Sequence, residues 1–180
     1  HRPSVYLAEL RHHSEYRDLN FRETAGLVGH FFRASRSVLH TKRQILERYS
    51  INPDETIFLN YRGTDKWVEV PPSDPEPFVE LAAKKLAMLG PEARVMIVTD
   101  QKQFAHDALH FFGSKAFTVE ELPTTAGAVV LHKSDHLTDP KKFAQTLLAT
   151  ILIGASAKHV VTHTGNVAFW TALFRGNNQN

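Results

Sequence analysis

The segment Ile57-Phe58-Leu59-Asn60-Tyr61-Arg62-Gly63-Thr64-Asp65-Lys66 limits the possible folds more than any other part of the chain. Its β-branched, aromatic and leucyl side chains follow one another almost unbroken, which suits a strand covered on both faces. Polarity then changes abruptly to a guanidinium, a glycine, a hydroxyl, a carboxylate and an ammonium. Such a strand belongs inside a parallel sheet and delivers its polar groups to a site at its C-terminal end, where their charge suits an anion.

Other segments repeat the pattern. Arg94–Thr99 is a second apolar strand, ending in Asp100, and Lys158–Thr162 is a shorter one that leads into His163-Thr164-Gly165-Asn166. Ala116–Val119 is a further short strand, 127–131 is apolar but ambiguous, and 132–136 is a polar loop. Helical spacing separates the strands. Phe78, Val79, Ala82, Leu86 and Leu89 form one stripe after Asp74-Pro75 and stop at Gly90; Phe104, Ala108, Leu109 and Phe112 form another, closed by Gly113. Asp139-Pro140 caps a helix running to about Ser156, and Val167, Phe169, Trp170 and Leu173 mark the last. This alternation predicts an α/β fold with a Rossmann-like, doubly wound, mainly parallel sheet. A ligand would lie beyond the strand C-termini, among Arg62 to Lys66, Asp100, and Thr162 to Asn166.

Ahead of the first strand, Leu27, Val28, Phe31 and Phe32, then Val38, Leu39, Ile45 and Leu46, predict two helices, the second capped by Ser37. His1 to Thr24 is charged and histidine-rich without sustained periodicity, so it is expected to be an arm or linker. Residues 1–50 are therefore expected to be an arm and connecting helices, and 51–180 a Rossmann-like domain for a nucleotide sugar. His1 is not an initiator methionine, and the sequence is expected to be cut from a longer one at both ends.

With 21 Lys+Arg against 19 Asp+Glu the formal charge is only +2, too weak for an electrostatic footprint on nucleic acid, and no such partner is expected. The absence of cysteine excludes disulfides, zinc ribbons and thiolate nucleophiles. The apolar run 146–157 is too short and too rich in Thr, Ser and Gly to span a bilayer, so it is expected to be a buried helix.

Tyr61-Arg62-Gly63-Thr64-Asp65-Lys66, then Val98-Thr99-Asp100-Gln101, then Lys158-His159-Val160-Val161-Thr162-His163-Thr164-Gly165-Asn166 resemble three ordered motifs of the α1,6-fucosyltransferase-like superfamily. That superfamily includes bacterial nodulation fucosyltransferases, the α1,6-fucosyltransferases of N-glycan cores and, more distantly, the protein O-fucosyltransferases. The resemblance covers roughly residues 30–175. It implies the C-terminal donor half of a GT-B enzyme that inverts at the anomeric carbon, uses no metal or other cofactor, and moves fucose from GDP-fucose to a glycan or other hydroxyl acceptor.

Residue by residue, the resemblance implies that Arg62 holds the β-phosphate, since a planar fork that keeps its charge can grip two phosphate oxygens. Lys66 adds a second cation, and Asp65 orients Arg62 or braces the loop. Gly63 stands where a second arginine is common and lets the backbone approach a ligand. Thr164, Gly165 and Asn166 offer backbone amides and polar side chains to an anion at a helix N-terminus. Asp100 shapes the loop or faces the nucleotide. Glu69 is the candidate base for the acceptor hydroxyl, one residue from Val70, where the family glutamate aligns. Asn60 replaces a guanine-contacting histidine, and Thr150 an aspartate, which leaves the donor's base open.

Plainer readings stand beside these. Arg62 and Asp65 also fit an ion pair at a strand end, and Asp100 and Thr164-Gly165-Asn166 fit simple helix starts. His132, Asp135 and His136 fit a solvated loop better than a zinc site, and no metal site is expected. Trp67 fits a lid over the core as well as a sugar platform, whereas Trp170 fits packing. A catalytically silent nucleotide-sugar-binding relative and a generic phosphometabolite-binding domain are the alternatives; the lack of GxGxxG after the strands counts against the latter.

Overall fold

The computed structural model describes residues 19–63, 74–126, 137–162 and 165–177. Two helices lead into the sheet. The first, α1 (Phe21–Phe31), starts inside the stretch expected to be an arm, because the Asn20 side chain accepts hydrogen bonds from the amides of Arg22 and Glu23 at 3.1 and 3.2 Å. One cap residue thus specifies a helix start that periodicity does not announce. α2 (Arg36–Arg48) is capped by Ser35, not Ser37: Ser35 is extended (φ −64°, ψ 160°) and its Oγ accepts from the Val38 amide at 3.3 Å. Ser37 is already helical, so its hydroxyl cannot reach a free amide of that turn and meets Ser35 Oγ instead.

β1 (Thr56–Tyr61) is buried along its whole length, as its composition requires. After it come α3 (Glu76–Leu89), β2 (Arg94–Thr99), α4 (Lys102–Phe112), β3 (Ala116–Thr118), α5 (Pro140–Ser156), β4 (His159–Thr162) and α6 (Asn166–Arg175). The four strands pair in the order β3-β2-β1-β4, every pair parallel. The fold is α/β, a Rossmann-like doubly wound parallel sheet. The anticipated stops act as such: Gly90 and Gly113 take φ of 98° and 57°, values open to glycine, and Asp139 caps α5 by accepting from the Lys142 amide at 2.9 Å.

The pleat sends alternate residues to two cores. On one face Phe58, Met96, Val98 and Phe117 meet Val38 and Ile45 of α2 and Ala149 and Ile153 of α5. On the other, Ile57, Leu59, Tyr61, Val95 and Ile97 meet Ala82 of α3 and Phe104, Ala108 and Phe112 of α4. The apolar run at 146–157 falls mostly in α5, whose Ala149 and Ile153 are fully buried, so the expected core helix is found. Gly154 lets α5 lie close on β1: a Cβ there would stand 2.8 Å from three ring carbons of Phe58. Arg175 fastens α6 to the end of α5, donating to the carbonyls of Ala155 (3.3 Å), Ala157 and Lys158 (2.9 Å). Phe32 meets the Trp170 ring edge-on at a centroid distance of 5.1 Å, a packing role for that tryptophan.

Candidate functional site

Winding reverses at β1. From it the chain moves through β2 to β3 in one direction, then returns through α5 to β4 on the other side. α3, which follows β1, packs on one face of the sheet, while Val167 of α6, which follows β4, packs against the core of the other face. The helices that follow β1 and β4 thus pack on opposite faces, and a crevice beyond two such strand ends is where open parallel sheets hold ligands.

The register fixes which groups meet there. Asn60 stands opposite Thr162, and Tyr61 opposite Thr99. The buried Asn60 carboxamide donates from Nδ2 to Thr162 Oγ1 at 2.9 Å, tying β1 to β4 across the reversal point. One residue further on, Asp100 crosses from β2: its Oδ1 accepts from the Gly63 amide at 3.0 Å, and its Oδ2 stands 3.8 Å from Arg62 Nε. The backbone carbonyl of Asp100 accepts from the Thr125 amide at 2.8 Å, and Gln101 and Thr125 form a parallel bridge. A short additional pairing thus backs Asp100, and its carboxylate shapes the turn that presents Arg62. Loop-shaping, one of two roles open to Asp100 in the sequence, has a visible geometric basis.

Gly63 is confined by its own protein. A Cβ there would stand 2.5 Å from Gln101 Oε1 and 2.9 Å from Tyr61 Cε1, and the Tyr61 ring is itself stacked on Phe104 at 4.2 Å between centroids. Gln101 can give way, but the stacked ring cannot. Burial, with Asp100 and Asp74 adding smaller effects, raises the Tyr61 hydroxyl above the usual phenol range, so it stays protonated at neutral pH. Gly165, extended at φ 162°, precedes α6, and its carbonyl accepts the first helical bond from Phe169 at 2.9 Å; Asn166 is exposed in the first turn. Thr150 lies elsewhere: fully buried in α5, it donates its hydroxyl to the Thr146 carbonyl at 2.8 Å and faces the core. Asp65, Lys66, Glu69 and Thr164 lie outside the described residues, as do Trp67, Val70 and 132–136.

On the α3 and α4 side of the sheet lies an open groove of about 710 Å³. Tyr61, Val79, Phe104 and Phe111 give it an apolar floor, and Asp74, Glu76, Glu80 and Asp107 an acidic rim. Those carboxylates would repel a diphosphate, so this groove does not suit an anion.

The structure brings together Asn60, Arg62, Gly63, Asp100 and Thr162. Sequence reasoning missed Tyr61, Gln101 and Thr125, which support that group. Tyr61 was findable, since in a strand with Ile57 and Leu59 on one face position 61 falls on the same face. No family model, curated protein or solved structure matches the chain.

Proposed function

We propose that this chain is the donor-binding half of an inverting glycosyltransferase that needs no metal, with fucose from GDP-fucose as the leading donor and a glycan or other hydroxyl as acceptor. The observation that carries the reading is the placing of Arg62, braced through Gly63 and Asp100, at the winding reversal of a parallel sheet. In the reaction the acceptor oxygen attacks the anomeric carbon, the bond from that carbon to the diphosphate oxygen breaks, and Glu69 takes the hydroxyl proton. Charge grows on the departing diphosphate, where Arg62 and Lys66 stabilise it more strongly than in the ground state. Asn60 and Thr162 set the floor beneath, and the amides that open α6 add further donors.

Calorimetric titration with GDP, UDP and ADP tests this. We expect one diphosphate to bind and Arg62→Ala to weaken it at least tenfold, the loss of one charge-assisted bidentate contact. If none of the three binds, or if Arg62→Ala binds as well as the parent, the reading is wrong. A catalytically silent relative is the second reading, favoured by the Tyr61 ring that fills the space a side chain at position 63 would enter. Hydrolysis or transfer of a bound donor by the full-length protein would eliminate it.

A further inference from the structure

We infer that the corner formed by α1 and the start of α2 docks on an anionic lipid bilayer surface. Among the described residues seven large apolar side chains are exposed, and four of them, Leu27, Phe31, Phe32 and Leu39, fall here. Leu27 and Phe31 are one helical turn apart on α1 and are 61% and 71% exposed. Phe32 continues the ridge, edge-on to Trp170, which packs in turn on Phe174 at 5.7 Å between centroids. This string of half-exposed and exposed rings is anchored in the fold, so it can be inserted without unfolding anything.

Apart from Glu23, one turn before Leu27, the charges along this corner are basic. From Thr24 to Leu46 there are four Lys+Arg and no Asp or Glu. Set against 21 Lys+Arg and 19 Asp+Glu in the whole chain, that leaves 17 against 19 elsewhere, a net negative remainder. Lys42 leans on Ser156 Oγ at 3.4 Å, but Arg33, Arg36 and Arg43 are exposed, and Arg36, Leu39 and Arg43 share one stripe of α2. Phe111, exposed on α4, makes the contrast: it lines the groove rimmed by Asp74, Glu76, Glu80 and Asp107. Apolar side chains that project mainly among arginines match the interfacial region of a negatively charged leaflet, where acyl chains take up the rings and headgroups the guanidinium groups. The weak overall charge conceals this segregation.

The test is co-sedimentation of the full-length protein with vesicles of phosphatidylcholine alone and of equal parts phosphatidylcholine and phosphatidylglycerol, at low and high salt. We expect sedimentation with the mixed vesicles only, and weakening by salt. Leu27→Ser with Phe31→Ser should abolish it, and Arg33→Ala with Arg36→Ala should weaken it about fivefold for each cation removed. Both pairs are exposed, and circular dichroism checks whether each variant is folded; the arginine pair keeps the test decisive if the apolar pair unfolds. Sedimentation unchanged by both pairs overturns the proposal. So does failure to sediment, whether the apolar pair then alters the oligomeric state in light scattering, meaning that a second copy covers the ridge, or leaves it unaltered, meaning that another part of the protein does. Equal dependence of single-stranded RNA binding on the same residues, without vesicle binding, overturns it in favour of nucleic acid.

Discussion

Asp100 divides two tasks between its two oxygens, and substitutions can separate them. Asp100→Asn would keep an oxygen for the Gly63 amide while losing the charge that faces Arg62; that pair is 3.8 Å apart and Arg62 is 34% exposed, so its loss should cost under about 1 kcal/mol. Alanine removes the acceptor as well and should cost about 1–3 kcal/mol. Urea unfolding of Asp100→Asn and Asp100→Ala measures the difference, and equal losses would show that the Gly63 bond contributes nothing. The sequence offered Asp65 as a partner of Arg62, and that residue lies outside the described ones. Among the described residues the structure adds Asp100: parallel pairing of Tyr61 with Thr99 brings the next residues of both strands side by side. That neighbour could be named in advance only by assuming the register, which apolar runs with no alternation do not specify.

At the scale of elements, the strands were legible and the contacts between elements were not. Thr56–Tyr61 and Arg94–Thr99 occupy their anticipated positions because a strand buried on both faces reads as a nearly continuous apolar run. Caps were legible only in part: Asp139 precedes a proline and announces itself, whereas Asn20 and Ser35 are ordinary polar residues until the chain's direction is known. Gly154 shows the limit most clearly. Within an apolar helix it looks like a weak point, and replacing it with alanine would ordinarily gain about 1 kcal/mol of helix propensity. Here the added methyl meets the fully buried Phe58 ring at 2.8 Å, and overpacking of that kind costs about 1–3 kcal/mol. Gly154→Ala should therefore lower the thermal midpoint although it favours the helix, and restoring room with Phe58→Leu should recover part of the loss. A midpoint that rises in Gly154→Ala would mean that α5 can move away from β1 at little cost.

The molecule as a whole is polarised along its strands. The C-terminal edge collects Asn60, Arg62, Asp100 and Thr162; at the opposite edge His159, at the start of β4, is surrounded by Lys85, Lys158 and Arg175. Burial, chiefly, and these three cations hold the His159 imidazolium below its ordinary pKa, and among the described residues His159 Nδ1 is buried without a hydrogen-bond partner. The folded form thus binds this proton less readily than the unfolded chain does. Above the ordinary histidine value, near 6.5, both forms are neutral at this position and stability is complete; as the pH falls through that value the unfolded chain takes up the proton first, and stability declines until the folded value is passed. Cation repulsion at that edge strengthens the effect at low salt, since exposed charges are screened as salt rises. Urea midpoints followed from about pH 7 to about pH 5 should fall for the parent protein, and His159→Phe should flatten the part of the slope due to this residue while the other histidines keep theirs. Parallel slopes for the two proteins would show that β4 accommodates the charged ring, and that the cations around it act on the fold without acting through His159.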